Sequence, residues 1–289
     1  MPKKAEAACV RLATAKGLPN PGSSARLPPT FKNMDTTQTT ASTTPIPAHL
    51  EAMFKVGAHF GYIRSRRHPS VKPYIFGVKN KVEIFDLEKT ETLLQEALAF
   101  VTKLASENKQ ILFIGGKHEA REIVKDTALA LDMPYVSGRF IGGTMTNFPE
   151  IRKRVERFES LTSQKEKGEL AKYTKKERLL IDREIVDLET MFGGLVTLKS
   201  LPAALFVVDS KRETIAVEEA RRKGIPVIAL SGSDCDISLI DYPIVANDSS
   251  VQSIEYFVKA VADAYKKARA ARPAAAAAPA TATAAVPRA

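Results

Sequence analysis

From residue 74 onward, short wholly apolar runs alternate with longer stretches whose apolar positions recur three and four apart. The short runs predict strands at 74–78, 82–85, 111–114, 135–136, 205–208, 226–230 and 244–245. The longer stretches predict helices at 88–107, 117–131, 213–223 and 250–271. In 88–107, Leu93, Leu94, Ala97, Val101 and Leu104 fall on one face, and Gly224 stands where the cap of the 213–223 helix belongs. Strands apolar throughout, separated by helices, predict a parallel sheet covered on both faces. The expected fold is α/β and doubly wound, of flavodoxin or Rossmann type.

One segment breaks the alternation. Residues 147–192 read as helical, dense in charge and too long for a crossover, with Gly168 near the midpoint. Ile151, Val155 and Phe158 form one narrow seam, and Ile181, Ile185, Leu188 and Phe192 another. Two such seams about a break predict an inserted antiparallel hairpin of coiled-coil type. Basic and acidic side chains nearly balance along it, which suits an interaction arm and a solvent-exposed buttress equally.

Residues 1–47 lack apolar periodicity and are rich in Pro, Ser, Thr and Ala. Residues 273–289 are an Ala/Pro/Thr tail broken by Pro273, Pro279 and Pro287. Both are expected to be disordered extensions of a domain spanning 48–272. For residues 1–33 an organelle transit peptide and an over-extended reading frame starting properly at Met34 both stand open. No apolar run is long enough to span a bilayer as a helix. Cys9 and Cys235 cannot make a disulfide framework and suit a reducing compartment.

The net charge of +10 is misleading as a property of the folded part. Residues 1–33 hold six basic residues and one acid, and residues 266–289 hold five basic residues and none, so 34–265 is neutral overall. RNA binding must therefore rest on a local patch. Residues 52–82 supply one: Lys55, Arg64, Arg66, Arg67, Lys72, Lys79 and Lys81 occur without an acid, with His59 and His68 among them. Phe60, Tyr62, Tyr74 and Phe76 are interleaved, a mixture suited to phosphate contacts plus stacking. A solvated basic loop is the plainer alternative.

Two glycine pairs carry the enzyme-like signal. Gly115-Gly116-Lys117-His118 follows a strand and opens a helix, but matches neither phosphate-loop nor dinucleotide spacing; a tight turn accounts for it. Gly142-Gly143-Thr144-Met145-Thr146-Asn147, preceded by Arg139, could hold a phosphate through Arg139, Thr144 and Asn147, or Asn147 could simply cap the next helix. Four histidines show no ligand spacing and Asp234-Cys235-Asp236 no calcium-loop pattern, so neither metal nor cofactor is expected.

Several blocks then resemble a known family. Phe54 through Gly61 is similar to the opening signature of bacterial ribosomal protein S-two, and Pro69 through Val82 with Leu87 through Thr90 to its next block. Arg139 through Phe148, Leu201 through Asp209, and Glu218 through Ile228 resemble three more, in order. Departures are Tyr62 where histidine is common, Phe140 where tryptophan is usual, and the unusual loop Ser231 through Asp236. The resemblance implies a doubly wound domain with a protruding hairpin on the solvent side of the bacterial small subunit, between head and body, in the cytoplasm. It implies contacts with small-subunit rRNA and neighbouring proteins, including the S-one protein that helps hold messenger RNA. No catalysis, small-molecule substrate or membrane partner is implied. A nucleotide- or sugar-phosphate-binding enzyme is the competing reading, and a eukaryotic cell-surface or processing role is disfavoured by the bacterial form of the motifs.

Overall fold

A computed structural model of the chain describes residues 47–271. The two extensions expected to be disordered lie outside the described residues.

Three buried strands, β4 (Ile111–Ile114), β6 (Ala204–Val208) and β7 (Val227–Ser231), join the half-buried β8 (Tyr242–Val245) and the short β5 (Tyr135–Val136) in one parallel sheet. Its order is β5-β4-β6-β7-β8, so the chain runs from β4 outward to β5 and then back across to β6. Alternate residues of each strand point to opposite faces and build two cores. Ile111, Phe113, Phe206, Val208, Ile228 and Ile244 pack with helices α2 (Leu87–Ser106), α3 (His118–Leu129) and α7 (Val251–Ala270). Leu112, Ile114, Leu205, Val207 and Ala229 pack with α6 (Thr214–Lys223) and with the base of the inserted hairpin. Each fully buried large apolar side chain contributes roughly 1.5–3 kcal/mol. The doubly wound architecture read from the pattern is the one observed.

The hairpin consists of α4 (Phe148–Glu166) and α5 (Lys175–Phe192). Gly168 turns the chain with φ 73°, and Thr174 opens α5 with a capping box to Glu177. Val155, Leu188 and Phe192, with the partly buried Ile151 and Phe158, join the core on this face of the sheet, so the base of the hairpin belongs to it, while Ile181 and Ile185 of the expected seam lie outside that core. Farther out, exposed ion pairs Arg157–Glu184 (2.6 Å) and Lys165–Asp182 (2.8 Å) link the two helices.

Two elements ahead of the sheet escape the sequence reading. Helix α1 (Ala48–Lys55) and strand β1 (Phe60–Ile63) precede the hairpin of β2 (Ile75–Lys79) and β3 (Val82–Phe85). The three strands form a small antiparallel sheet in the order β1-β3-β2. Its β2–β3 turn carries positive φ at Asn80 (52°) and Lys81 (69°), the geometry of a tight hairpin. Helix α1 and strand β1 are too short, and β1 too exposed at both ends, to leave a period in the sequence.

Candidate nucleic-acid interface

The small sheet is fixed to the carboxyl edge of the parallel sheet by long-range hydrogen bonds. His68 N–H donates to Ser233 O (2.8 Å), Tyr62 N–H to Ser233 Oγ (2.9 Å), and Asn247 N–H to Ala58 O (3.0 Å). Val71 and Phe85 pack on Ile237 and Val245 beneath it. The basic stretch 52–82 is thereby held beside the loop that follows β7.

Its residues divide into two groups. Arg64 and Arg66 lie exposed on a short 3-10 turn after β1, Lys72 on a second, and Lys79 and Lys81 at the β2–β3 turn. Among the described residues none of these five pairs with an acid. The others are engaged. Lys55 pairs with Glu51 at 2.8 Å within α1. Arg67 Nη1 lies 3.2 Å from Oε1 of the fully buried Glu83, which makes it part of the fold and not a free phosphate ligand. The His59 ring stacks on Phe54 (centroids 4.4 Å apart, planes 8° apart), and burial lowers its pKa, so it is neutral at pH 7. The His68 Nδ1 lies 2.7 Å from Ser70 Oγ and 3.7 Å from Asp236. Exposed apolar side chains flank the cations: Phe54, Phe60, Ile63 and Phe76, the last 80% exposed.

The Gly142–Asn147 turn corrects a second expectation. Glu219 of α6 is buried, and its carboxylate accepts the backbone N–H groups of Gly143, Met145 (3.0 Å) and Thr146 (3.2 Å). The amides that could have met a phosphate are taken by an internal carboxylate. Thr144 is 1% exposed and donates to Ile141 O, so it is not on the surface. Asn147 is exposed at the start of α4 and makes no capping bond through its side chain. Arg139 is exposed, in a cleft at the end of β5.

The Gly115-Gly116 turn is explained by close packing. A Cβ at Gly115 would come within 2.7 Å of Val124 Cγ2, and one at Gly116 within 2.7 Å of Gly138 O. Lys117, next in the chain, is buried. Its Nζ lies 3.0 Å from Asp248, 3.1 Å from Tyr62 Oη and 3.5 Å from Asp209. Burial alone would lower the lysine pKa, but Asp248, the tyrosine hydroxyl and Asp209 outweigh it and hold it above the usual value. Asp209, Cys235 and Asp248 present donor atoms within 4.8 Å of one another, a set that could be mistaken for a metal site. The Lys117 ammonium supplies the cation there, and burial pushes the Cys235 thiol up to about 12, so it stays protonated at neutral pH. Gly232 packs closely at this place: a Cβ there would lie 2.9 Å from the Tyr62 ring and 2.6 Å from Asp248. Tyr62 in this position therefore requires glycine at 232.

Sequence reasoning missed Glu83, Glu219 and the Lys117 cluster. Glu83 sits one residue beyond the acid-free stretch, and Glu219 within the block that resembled the family, so both were in view. What the sequence does not display is the contact each makes.

Comparison with known proteins bears on this arrangement. Residues 53–268 match the family Ribosomal protein S2. A small ribosomal subunit protein uS2 from Chlorobium chlorochromatii (strain CaD3) is 45% identical over 220 residues, covering 76% of this chain and 88% of the relative. The uS2 protein of Sulfurimonas denitrificans is 41% identical over 223 residues, 77% of this chain and 86% of the relative. That of Roseiflexus sp. (strain RS-1) is 42% identical over 215 residues, 74% and 82% respectively.

Proposed function

The chain belongs to the ribosomal protein S2 family, and from that premise we propose that it is a structural, non-catalytic component of the small ribosomal subunit that binds small-subunit rRNA. Its place is in the ribosome, in the cytoplasm. The observation that carries the RNA reading is the cluster Arg64, Arg66, Lys72, Lys79 and Lys81, exposed and, among the described residues, unpaired beside the carboxyl edge of a body whose net charge is zero. Unpaired cations this close repel one another, and phosphates between them relieve the repulsion while releasing counterions. The exposed Phe54, Phe60, Ile63 and Phe76 suit contact with neighbouring subunit proteins, among which the S-one protein is the expected one.

The packed Gly115 and Gly116 and the filled Gly142–Asn147 turn support this reading over a nucleotide- or sugar-phosphate-binding enzyme. No helix among the described residues is long and apolar enough to cross a membrane. The test is co-sedimentation of the full chain with small subunits stripped of this protein, at low and high salt, beside calorimetric titration with ATP and NAD. Salt-sensitive co-sedimentation without nucleotide binding is expected. Micromolar nucleotide affinity with no association to the subunit would overturn the reading.

A further inference from the structure

We propose that the cleft at the carboxyl ends of β4, β5 and β6 is a second phosphate site, in which Arg121, Arg139 and Arg212 together take one backbone phosphate of the RNA. The proposal rests on the RNA-binding reading above but uses residues outside the basic stretch. The basic stretch lies by the loop after β7, whereas this cleft lies where the strand order reverses, between β5, β4 and β6. In doubly wound folds such a reversal leaves a crevice beyond the strand ends.

The three arginines reach the cleft from three separate segments. Arg121 is on the first turn of α3, after β4. Arg139 follows β5, and Arg212 lies between β6 and α6. All three are exposed, and among the described residues none has an acid within 4.0 Å or a side-chain hydrogen bond. Three guanidinium groups line one cleft whose one lining acid is the buried Glu213, and none of them pairs with it, so they are held at an electrostatic cost, which a phosphate removes. The planar donor fork of arginine matches phosphate oxygens in pairs. Two helices, α3 and α6, also begin at the cleft, adding positive dipole ends. Gly138 lines it without a side chain, and a Cβ there would meet nothing within 4 Å, so a ligand can approach the backbone.

Glu213 also lines the cleft, but it is buried whereas the arginines are exposed. Its carboxylate faces inward against Gly116, where a Cβ would strike it, and burial raises its pKa. An anion is thus met by the arginines at the mouth, not by the carboxylate at the floor. Size separates the two sources of phosphate. The cleft has a volume of about 250 Å³, below the roughly 300–1,000 Å³ of pockets that engulf whole small ligands. A cleft of that size does not engulf a whole small ligand, which suits one phosphate of a polynucleotide chain better than a free nucleotide.

The test compares full-length wild type with R121Q/R139Q/R212Q and with R64Q/R66Q, by filter binding to transcribed small-subunit rRNA across a salt series. The cleft variant should flatten the slope of log affinity against log salt by about one unit, the effect of one lost phosphate contact. Combined with R64Q/R66Q, its effect should add. A flattened slope in R64Q/R66Q with none in the cleft variant overturns the cleft and leaves the wider reading standing. Unchanged slopes in both overturn both. Calorimetry with AMP and inorganic pyrophosphate separates the sources: micromolar binding lost in the cleft variant assigns the site to free phosphates and overturns the RNA assignment. Should the triple variant misfold, phenylglyoxal modification of the wild type decides. RNA should protect Arg121, Arg139 and Arg212; protection of Arg64 and Arg66 alone counts against the cleft.

Discussion

Arg67 Nη1 lies 3.2 Å from Oε1 of Glu83, a carboxylate with no exposed surface. The charge pair joins the 3-10 turns of the basic stretch to the middle of β3, so one cation of the patch is consumed in holding the patch together. Neither oxygen of Glu83 has a hydrogen-bond partner among the described residues, which leaves Arg67 as its compensation.

Removing that arginine strands a buried charge, and the cost of breaking such a pair is roughly 3–5 kcal/mol. Arg67→Gln should therefore lower the urea midpoint strongly. Arg64→Gln and Arg66→Gln, both on the surface, should each stay within about 0.5 kcal/mol of wild type. Equal stability of all three variants in urea unfolding would show that the Arg67–Glu83 pair contributes little.

The Gly142–Asn147 turn should depend on Glu219 in the same way. Glu219→Ala leaves the N–H groups of Gly143, Met145 and Thr146 without their acceptor, each loss costing about 1–3 kcal/mol where water cannot enter. We expect a large drop in stability, with amide exchange at these three positions accelerated more than in β6 or β7. Unchanged exchange at Met145 would refute the assignment of Glu219 as the turn's organiser.

These two carboxylates mark where sequence reading stops. Strand and helix positions were legible because burial on both faces writes an apolar run, and burial on one face writes a period, directly into neighbouring residues. Val82–Phe85, Ile111–Ile114 and the seams of the hairpin were found that way. The basic patch was legible as composition. Which of its members are free was not, because Glu83 meets Arg67 only after β1, β3 and the turns between them have folded together. Likewise Thr144 and the Gly142-Gly143 turn looked open to a ligand until a side chain 73 to 76 residues away occupied the amides.

The outer half of the inserted hairpin should be separable from the fold. Val155, Leu188 and Phe192 anchor its base, while the ion pairs farther out are exposed and worth little each. Replacing residues 163–173 with a short Gly/Ser turn should keep the far-ultraviolet circular dichroism of the sheet and a single cooperative melt. Loss of cooperativity would place the tip in the core. A folded variant that no longer joins the small subunit would make the tip an interaction arm and not a buttress.

The last prediction concerns Lys117, whose ammonium lies 3.0 Å from Asp248 and 3.5 Å from Asp209. Lys117→Met keeps the length of the side chain and removes its charge, leaving two carboxylates close together and Asp248 buried. The expected loss is roughly 3–5 kcal/mol at pH 7, and K117M/D248L should recover part of it, because the double replacement removes the stranded charge. The loss should also depend on pH, with a definite sign. Burial raises the Asp248 pKa in the folded protein above its ordinary 3.8, and Lys117 opposes that rise. A raised carboxyl holds its proton more tightly when folded, so ionising it opposes folding; the penalty is absent below about 3.8 and grows as pH rises toward the folded value. Without Lys117 the folded value moves higher still and the penalty deepens. The wild type keeps Lys117 charged throughout, since its own pKa is held above the usual 10.5. The gap in stability between wild type and K117M should therefore be smallest near pH 4 and widen toward pH 8. Urea unfolding at four or five pH values measures it; a gap that stays constant or narrows as pH rises would mean that Asp248 is not the group Lys117 compensates.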